Sequence, residues 1–162
     1  MSFSTPEGKN FFFSETKKNK ATVIVFLLAD CPACENYALT LNRMNEKYKP
    51  NNIGFYGVFP GSYSKLSEIM EYKSMYKINF PLLLDKDKKL VKALKAKVAP
   101  QAFLINNSGQ ILYSGRIDDW MYAVGKKRTV ITHHELQDAL DAIIKGLNIT
   151  TCVTGPVGCI IE

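Results

Sequence analysis

One stretch of this chain restricts its architecture more than any other. Residues 21–29, "ATVIVFLLA", form a continuous apolar, β-branched run that leads directly into "DCPAC". A run of that length and composition reads as a strand buried on both faces, which requires packed layers on each side of a sheet. A helix signal follows at once. Pro32 stands where a first-turn proline is tolerated, and Cys34, Tyr37, Ala38, Leu41, Met44 and Tyr48 recur at helical spacing. Lys49, Pro50, Asn51 and Asn52 end that pattern, and residues 53–59, "IGFYGVF", read as a second strand. The three segments make a strand–helix–strand unit.

Pro60, Gly61 and Ser62 predict a turn. Leu66, Ile69, Met70, Lys73 and Tyr76 predict a second helix, capped by Ser62 or Ser64. "FPLLLD" is a short strand in which Pro81 holds Phe80 extended, and Leu90, Val91 and Leu94 suggest a short helix. "PQAFLIN" and "QILYSG" predict a hairpin turning at Asn106, Asn107, Ser108 and Gly109. A long loop is expected over 116–131. Thr132 and Glu135 match a capping box opening a last helix, with Leu136, Ala139, Leu140, Ile143, Ile144 and Leu147 as its core stripe. The tail, 148–162, reads as loop with a short strand. This order predicts an α/β sandwich with a mixed sheet.

At 162 residues the chain has the size of one ordinary domain, 1–162, with 1–20 as an N-terminal segment. No apolar run approaches a membrane span, and "MSFSTPEGKN" lacks the pattern of a signal peptide. The expected location is either the cytoplasm or an extracytoplasmic space reached before a signal was removed. The formal net charge of +6 comes mainly from lysines and reads as a solvated basic surface. Nucleic-acid binding is not expected, because no module or aromatic-interleaved basic stripe is present. The densest basic patch is "GKKR", 125–128.

Four cysteines are too few for a disulfide scaffold in a chain this long. Cys31 and Cys34 form a close pair where a strand gives way to a helix. Helix entrances present exposed N–H donors and a partial positive charge, both of which favour thiolate over thiol. This predicts Cys31 as the exposed nucleophile and Cys34 as the more buried resolving thiol, which attacks a mixed disulfide on Cys31 and releases the partner reduced. Two other uses of the pair stay open. Zinc would need a second ligand pair, whereas Cys152 and Cys159 are widely spaced and His133 and His134 are adjacent. A purely structural bridge across so short a loop restrains the unfolded chain little. No metal and no cofactor is expected.

The strand, the C-P-x-C, the amphipathic helix and a downstream x-Pro opening a hairpin resemble the thioredoxin-like superfamily. "VIVFLLADCPAC", "INFPLLLDKDKKLVKAL", "KVAPQAFLINNSGQILYSGRIDD" and the late "GC" resemble its redoxin branch. That branch includes alkyl hydroperoxide reductase relatives and extracytoplasmic thiol–disulfide oxidoreductases. The resemblance covers most of the chain from Ala21 onward and implies a thioredoxin-like sandwich, a mixed central sheet flanked by helices on both faces. It also implies a bacterial, extracytoplasmic oxidoreductase whose partners are a protein disulfide or dithiol and an upstream redox protein. Pro100 maps onto the superfamily's cis-proline loop, which makes Ala99, Pro100 and Pro32 the implied substrate-binding residues. An ordinary trans proline at the start of an edge strand is the alternative.

Several positions depart from the family pattern. Asp30 replaces the tryptophan before the first cysteine, and Val25 stands where thioredoxins carry a buried carboxylate. Peroxiredoxins place threonine or serine three residues before the peroxidatic cysteine and proline seven before, where this chain has Leu28 and Ile24. Leu28 and Ile24 therefore disfavour thiol peroxidase activity, which stands with a copper or zinc module on the same thiols as an alternative to disulfide exchange. Cys152 and Cys159 are candidates for a second disulfide, a relay pair for Cys31 and Cys34, or free thiols. Arg116 with Asp118 or Asp119 reads as an ion pair ordering the long loop, Trp120 and Tyr122 as core anchors for it, and His133 and His134 as solvated.

Overall fold

In the computed structural model, which describes residues 1–161, the apolar run becomes a strand whose six side chains are all buried. Two short strands precede it, β1 (Ser2–Ser4) and β2 (Asn10–Phe12), and the run itself is β3 (Ala21–Phe26). Next come α1 (Pro32–Tyr48), β4 (Ile53–Pro60), α2 (Leu66–Met75), β5 (Leu82–Asp85) and α3 (Lys89–Leu94). The second part holds β6 (Val98–Ala99), β7 (Gln101–Asn106), β8 (Ile111–Gly115), β9 (Met121–Ala123), β10 (Lys126–Lys127), α4 (Glu135–Lys145) and β11 (Cys159–Ile160).

The main sheet has seven strands in the order β2-β1-β5-β4-β3-β7-β8. β3, β4 and β5 run parallel, and β7 and β8 are antiparallel additions on the other flank. It is a mixed central sheet flanked by helices, as expected. With neighbours on both edges and cover on both faces, β3 has no exposed side, which explains why it lacks polar alternation. Phe26 meets Phe103 of β7 edge-on at 5.8 Å between ring centres, within the range favoured by aromatic pairs.

Four local expectations change. Residues 1–20 hold a hairpin, with Phe3 and Phe11 buried and Ser4 opposite Leu84. Its three-residue strands are too short to show a period. The 116–131 loop contains the small hairpin β9–β10. The last helix starts at Glu135, not Thr132. The Asp119 carboxylate accepts hydrogen bonds from the backbone N–H groups of Thr132 and His133 and from the Thr132 hydroxyl, which holds both residues outside the helix. Neither Ser62 nor Ser64 caps α2. Glu68 accepts the Lys65 N–H at 2.7 Å, and the Ser64 hydroxyl accepts the Ala29 N–H, so it serves the loop after β3 instead. Only the final residue of the 148–162 tail, Glu162, lies outside the described residues.

Candidate functional site

β3 ends at Phe26, four residues before Asp30, and Cys31 becomes the N-cap of α1 in extended conformation (φ −85°, ψ 120°), with Pro32 in the first helical position. The fixed φ of proline suits that position, and its missing N–H would have no helical acceptor there. Cys34 follows on the inward side of the first turn and is fully buried, and the Leu28 N–H points at its sulfur at 3.4 Å. Desolvation pushes the Cys34 thiol up to about 12, only partly opposed by that N–H. The Tyr72 hydroxyl donates to the Cys34 carbonyl at 2.8 Å and ties α2 to this turn.

The chain returns to the site at β6. The Ala99–Pro100 peptide is cis, as the resemblance implies. The Gln101 side-chain oxygen accepts the N–H groups of Lys97 and Val98, fixing the backbone that leads into that bond. The Ala99 carbonyl oxygen lies 3.4 Å from the Cys31 sulfur. Ala99 and Pro100 are buried, whereas Pro32 and Asp30 are exposed at the rim.

Cys31 is disulfide-bonded, but to Cys159 rather than Cys34. The bonded residues are 128 apart in sequence and 6.2 Å apart between α-carbons. Cys159 belongs to β11, which pairs antiparallel with β6 so that Cys159 faces Ala99 and Ile160 faces Val98. The Ile161 N–H continues the pairing to the Lys97 carbonyl at 2.9 Å. Cys34 is the more buried of the C-P-A-C pair, but Cys31 is not the exposed residue expected from the sequence. Cys31 is 2% exposed, and Cys159 is the half-buried member of the bond.

Of the alternatives for Cys152 and Cys159, a disulfide between them is not formed. Cys152 is an exposed, unbonded thiol at the edge of β8, where its carbonyl accepts the Ser114 N–H, far along the tail from β6. Thr154 anchors that part of the tail, since its hydroxyl meets the Tyr113 hydroxyl at 2.6 Å and accepts the Arg116 N–H at 2.9 Å. Gly115 makes room for it. Its φ is +146°, and a Cβ there would stand 2.1 Å from the Thr154 hydroxyl oxygen.

The charged loop is wired differently from its expected internal ion pair. Arg116 pairs with Glu135 of α4, and Asp118 accepts the Tyr37 hydroxyl at 2.6 Å and the Trp120 N–H at 2.9 Å. Burial raises the Asp118 carboxyl pKa, partly offset by these bonds. Trp120 packs edge-on against Tyr37 and anchors the loop, while Tyr122 is exposed. Lys127 lies over Trp120 and Arg128 over Tyr122, so part of the basic patch covers aromatic rings. His133 meets Asp119 through Nδ1 at 3.1 Å. Among the described residues no group of three or more His, Cys, Asp and Glu side chains is placed to hold a metal ion.

The sequence pattern of the AhpC/TSA family matches residues 1–114, more than half of the chain. The chain belongs to the AhpC/TSA family. Two solved structures resemble this AhpC/TSA chain over nearly its whole length. One is a hypothetical protein of Sinorhizobium meliloti (TM-score 0.88, 23% identity, 99% of this chain and 89% of that one). The other is an uncharacterized conserved protein of Geobacillus kaustophilus (TM-score 0.89, 21% identity, 100% and 87%). A secreted disulfide oxidoreductase of Mycobacterium tuberculosis, homologous to E. coli DsbE, shares the fold at TM-score 0.65 and 18% identity (91% and 96%). No curated protein matches the sequence. The family match ends before the tail, so Cys159 lies outside the AhpC/TSA pattern. What signal existed for it was the late glycine–cysteine pair, which has no local partner.

Proposed function

We propose that the chain is a thiol–disulfide oxidoreductase that exchanges disulfides with another protein, with Cys31 as the exchanging sulfur. The observation that carries this reading is the disulfide at Cys31, on the N-terminal cap of α1 and against the carbonyl before the cis proline. A sulfur leaving from a helix N-terminus is a stabilised thiolate, and a stabilised thiolate is a good leaving group. Ala99 and Pro100 supply backbone for an extended partner, and Pro32 forms part of the exposed rim. Cys34 is the buried second thiol of the C-P-A-C motif. Leu28 and Ile24, at the places where peroxiredoxins carry hydroxyl and proline residues, favour protein disulfides over peroxide as substrate.

The same reading makes 1–162 a single thioredoxin-like domain that works outside the cytoplasm and is recharged by an upstream redox partner. A disulfide persists in an oxidising compartment, and the M. tuberculosis protein of the same fold is secreted. No helix among the described residues is long and apolar enough to cross a membrane.

Insulin reduction in the presence of a small thiol tests the function. Native protein is expected to accelerate precipitation of the insulin B chain, and Cys31→Ser to abolish the acceleration. Undiminished turnover by Cys31→Ser would contradict the reading.

A further inference from the structure

The edge offered to a partner by the reading above is already occupied in this structure. β11 pairs with Val98 and Ala99 in extended antiparallel register, and its cysteine is bonded to Cys31. This is the arrangement of a mixed disulfide with a docked strand, except that the strand belongs to the same chain. Gly158 is fitted to the contact, because a Cβ there would stand 2.2 Å from the Ala99 oxygen and 2.9 Å from the Pro100 nitrogen. The approach of β11 to the cis-proline backbone therefore depends on a residue without a side chain.

We propose that β11 is a tethered occupant of the partner-binding edge and that Cys159, rather than Cys34, resolves the mixed disulfide on Cys31. The Cys31 thiolate attacks a partner disulfide and expels one partner sulfur as thiolate. The other partner sulfur remains bonded to Cys31, with the partner strand on β6. The Cys159 thiolate then attacks the Cys31 sulfur, the bond to the partner breaks, and the partner leaves with its second thiolate. Two electrons have passed from the Cys31 and Cys159 thiols to the partner disulfide, and the thiol protons pass through solvent to the released thiolates. Strand exchange and sulfur exchange are thus coupled, since β11 can reach Cys31 only by displacing the partner from β6.

Two features suit the tail to this role. A pairing of two residues is marginal in water, so β11 yields the edge once its disulfide is broken. Thr154 remains bonded to Tyr113 and Arg116, so residues 155–158 form a short tether that holds Cys159 at an effective concentration of roughly millimolar. Cys34 is poorly placed to compete, being fully buried with a thiol pushed up to about 12.

The test uses reduced full-length protein in which Cys152→Ser removes the exposed thiol outside the site, a background shared by the native site and every variant, and an extended peptide with one cysteine activated as a thiopyridyl disulfide. Attack by Cys31 releases thiopyridone and leaves the peptide on the protein, and resolution releases the peptide. Both are followed by absorbance and intact mass. Cys159→Ser is expected to load the peptide and release it roughly tenfold or more slowly than native protein. Cys34→Ala is expected to release it at close to the native rate. Gly158→Val keeps every thiol but blocks docking of β11, and is expected to be slow like Cys159→Ser. Slow release by Cys34→Ala with native release by both tail variants would overturn the proposal. Failure of every variant to load the peptide would instead refute the oxidoreductase reading, and the proposal with it.

Discussion

Gly158 and Ala99 meet backbone to backbone, so closely that a methyl group on Gly158 would stand 2.2 Å from the Ala99 oxygen. That contact brings a tail from beyond the family's matched residues onto the cis-proline loop. It makes the site a three-cysteine arrangement. Cys31 is bonded, Cys159 is the more accessible residue of the bond, and Cys34 is sealed on the inward side of the first turn of α1.

The two unbonded cysteines should differ sharply toward alkylating reagents. Cys152 is exposed, whereas Cys34 is fully buried with a thiol raised to about 12. Native oxidised protein treated with iodoacetamide at neutral pH should carry one label, on Cys152. Peptide mapping reads the outcome, and comparable labelling of Cys34 would contradict the placement of that side chain.

Tyr37→Phe removes the hydroxyl that donates to Asp118 at 2.6 Å, leaving a buried carboxylate with one fewer donor. Breaking one side of a buried bond to a charged group costs on the order of 1.5–3 kcal/mol. Urea denaturation should show a lower midpoint with an unchanged slope. A midpoint equal to that of native protein would show that the bond contributes nothing net.

Asp119 sets an acid limit. The Thr132 hydroxyl, then the His133 N–H and imidazole, hold its carboxyl well below the usual carboxylate range. A depressed folded-state pKa contributes stability that is complete above the unfolded value of about 3.9 and is lost as pH falls from there toward the folded value. Below about pH 4, native protein should lose stability more steeply than Asp119→Asn. Parallel melting-temperature curves for the two would contradict this.

The main architecture was legible because β3 is a continuous apolar, β-branched run, α1 carries a strong helical period, and the two are joined by a proline at a position only a helix start tolerates well. The β7–β8 hairpin was legible from Asn106 through Gly109, and the cis bond followed from the resemblance around Ala99 and Pro100. The N-terminal hairpin was hidden because three-residue strands have no measurable period. The capping box at Thr132 misled because Asp119, thirteen residues earlier, competes for the same backbone donors. Cys31–Cys159 was hidden for a related reason. Local spacing favoured Cys34, and nothing in the tail shows that Gly158 fits against Ala99 until the fold has brought β6 beside α1.

The most direct test of the central claim is redox equilibration of the native chain in glutathione mixtures of graded ratio, with Cys31 assigned by acid quenching, alkylation and peptide mass. The account predicts a reversible two-electron transition in which Cys31 passes between thiol and intraprotein disulfide, and which Cys31→Ser abolishes. A Cys31 that stays in one state across the whole series, or a transition that survives Cys31→Ser, would contradict it.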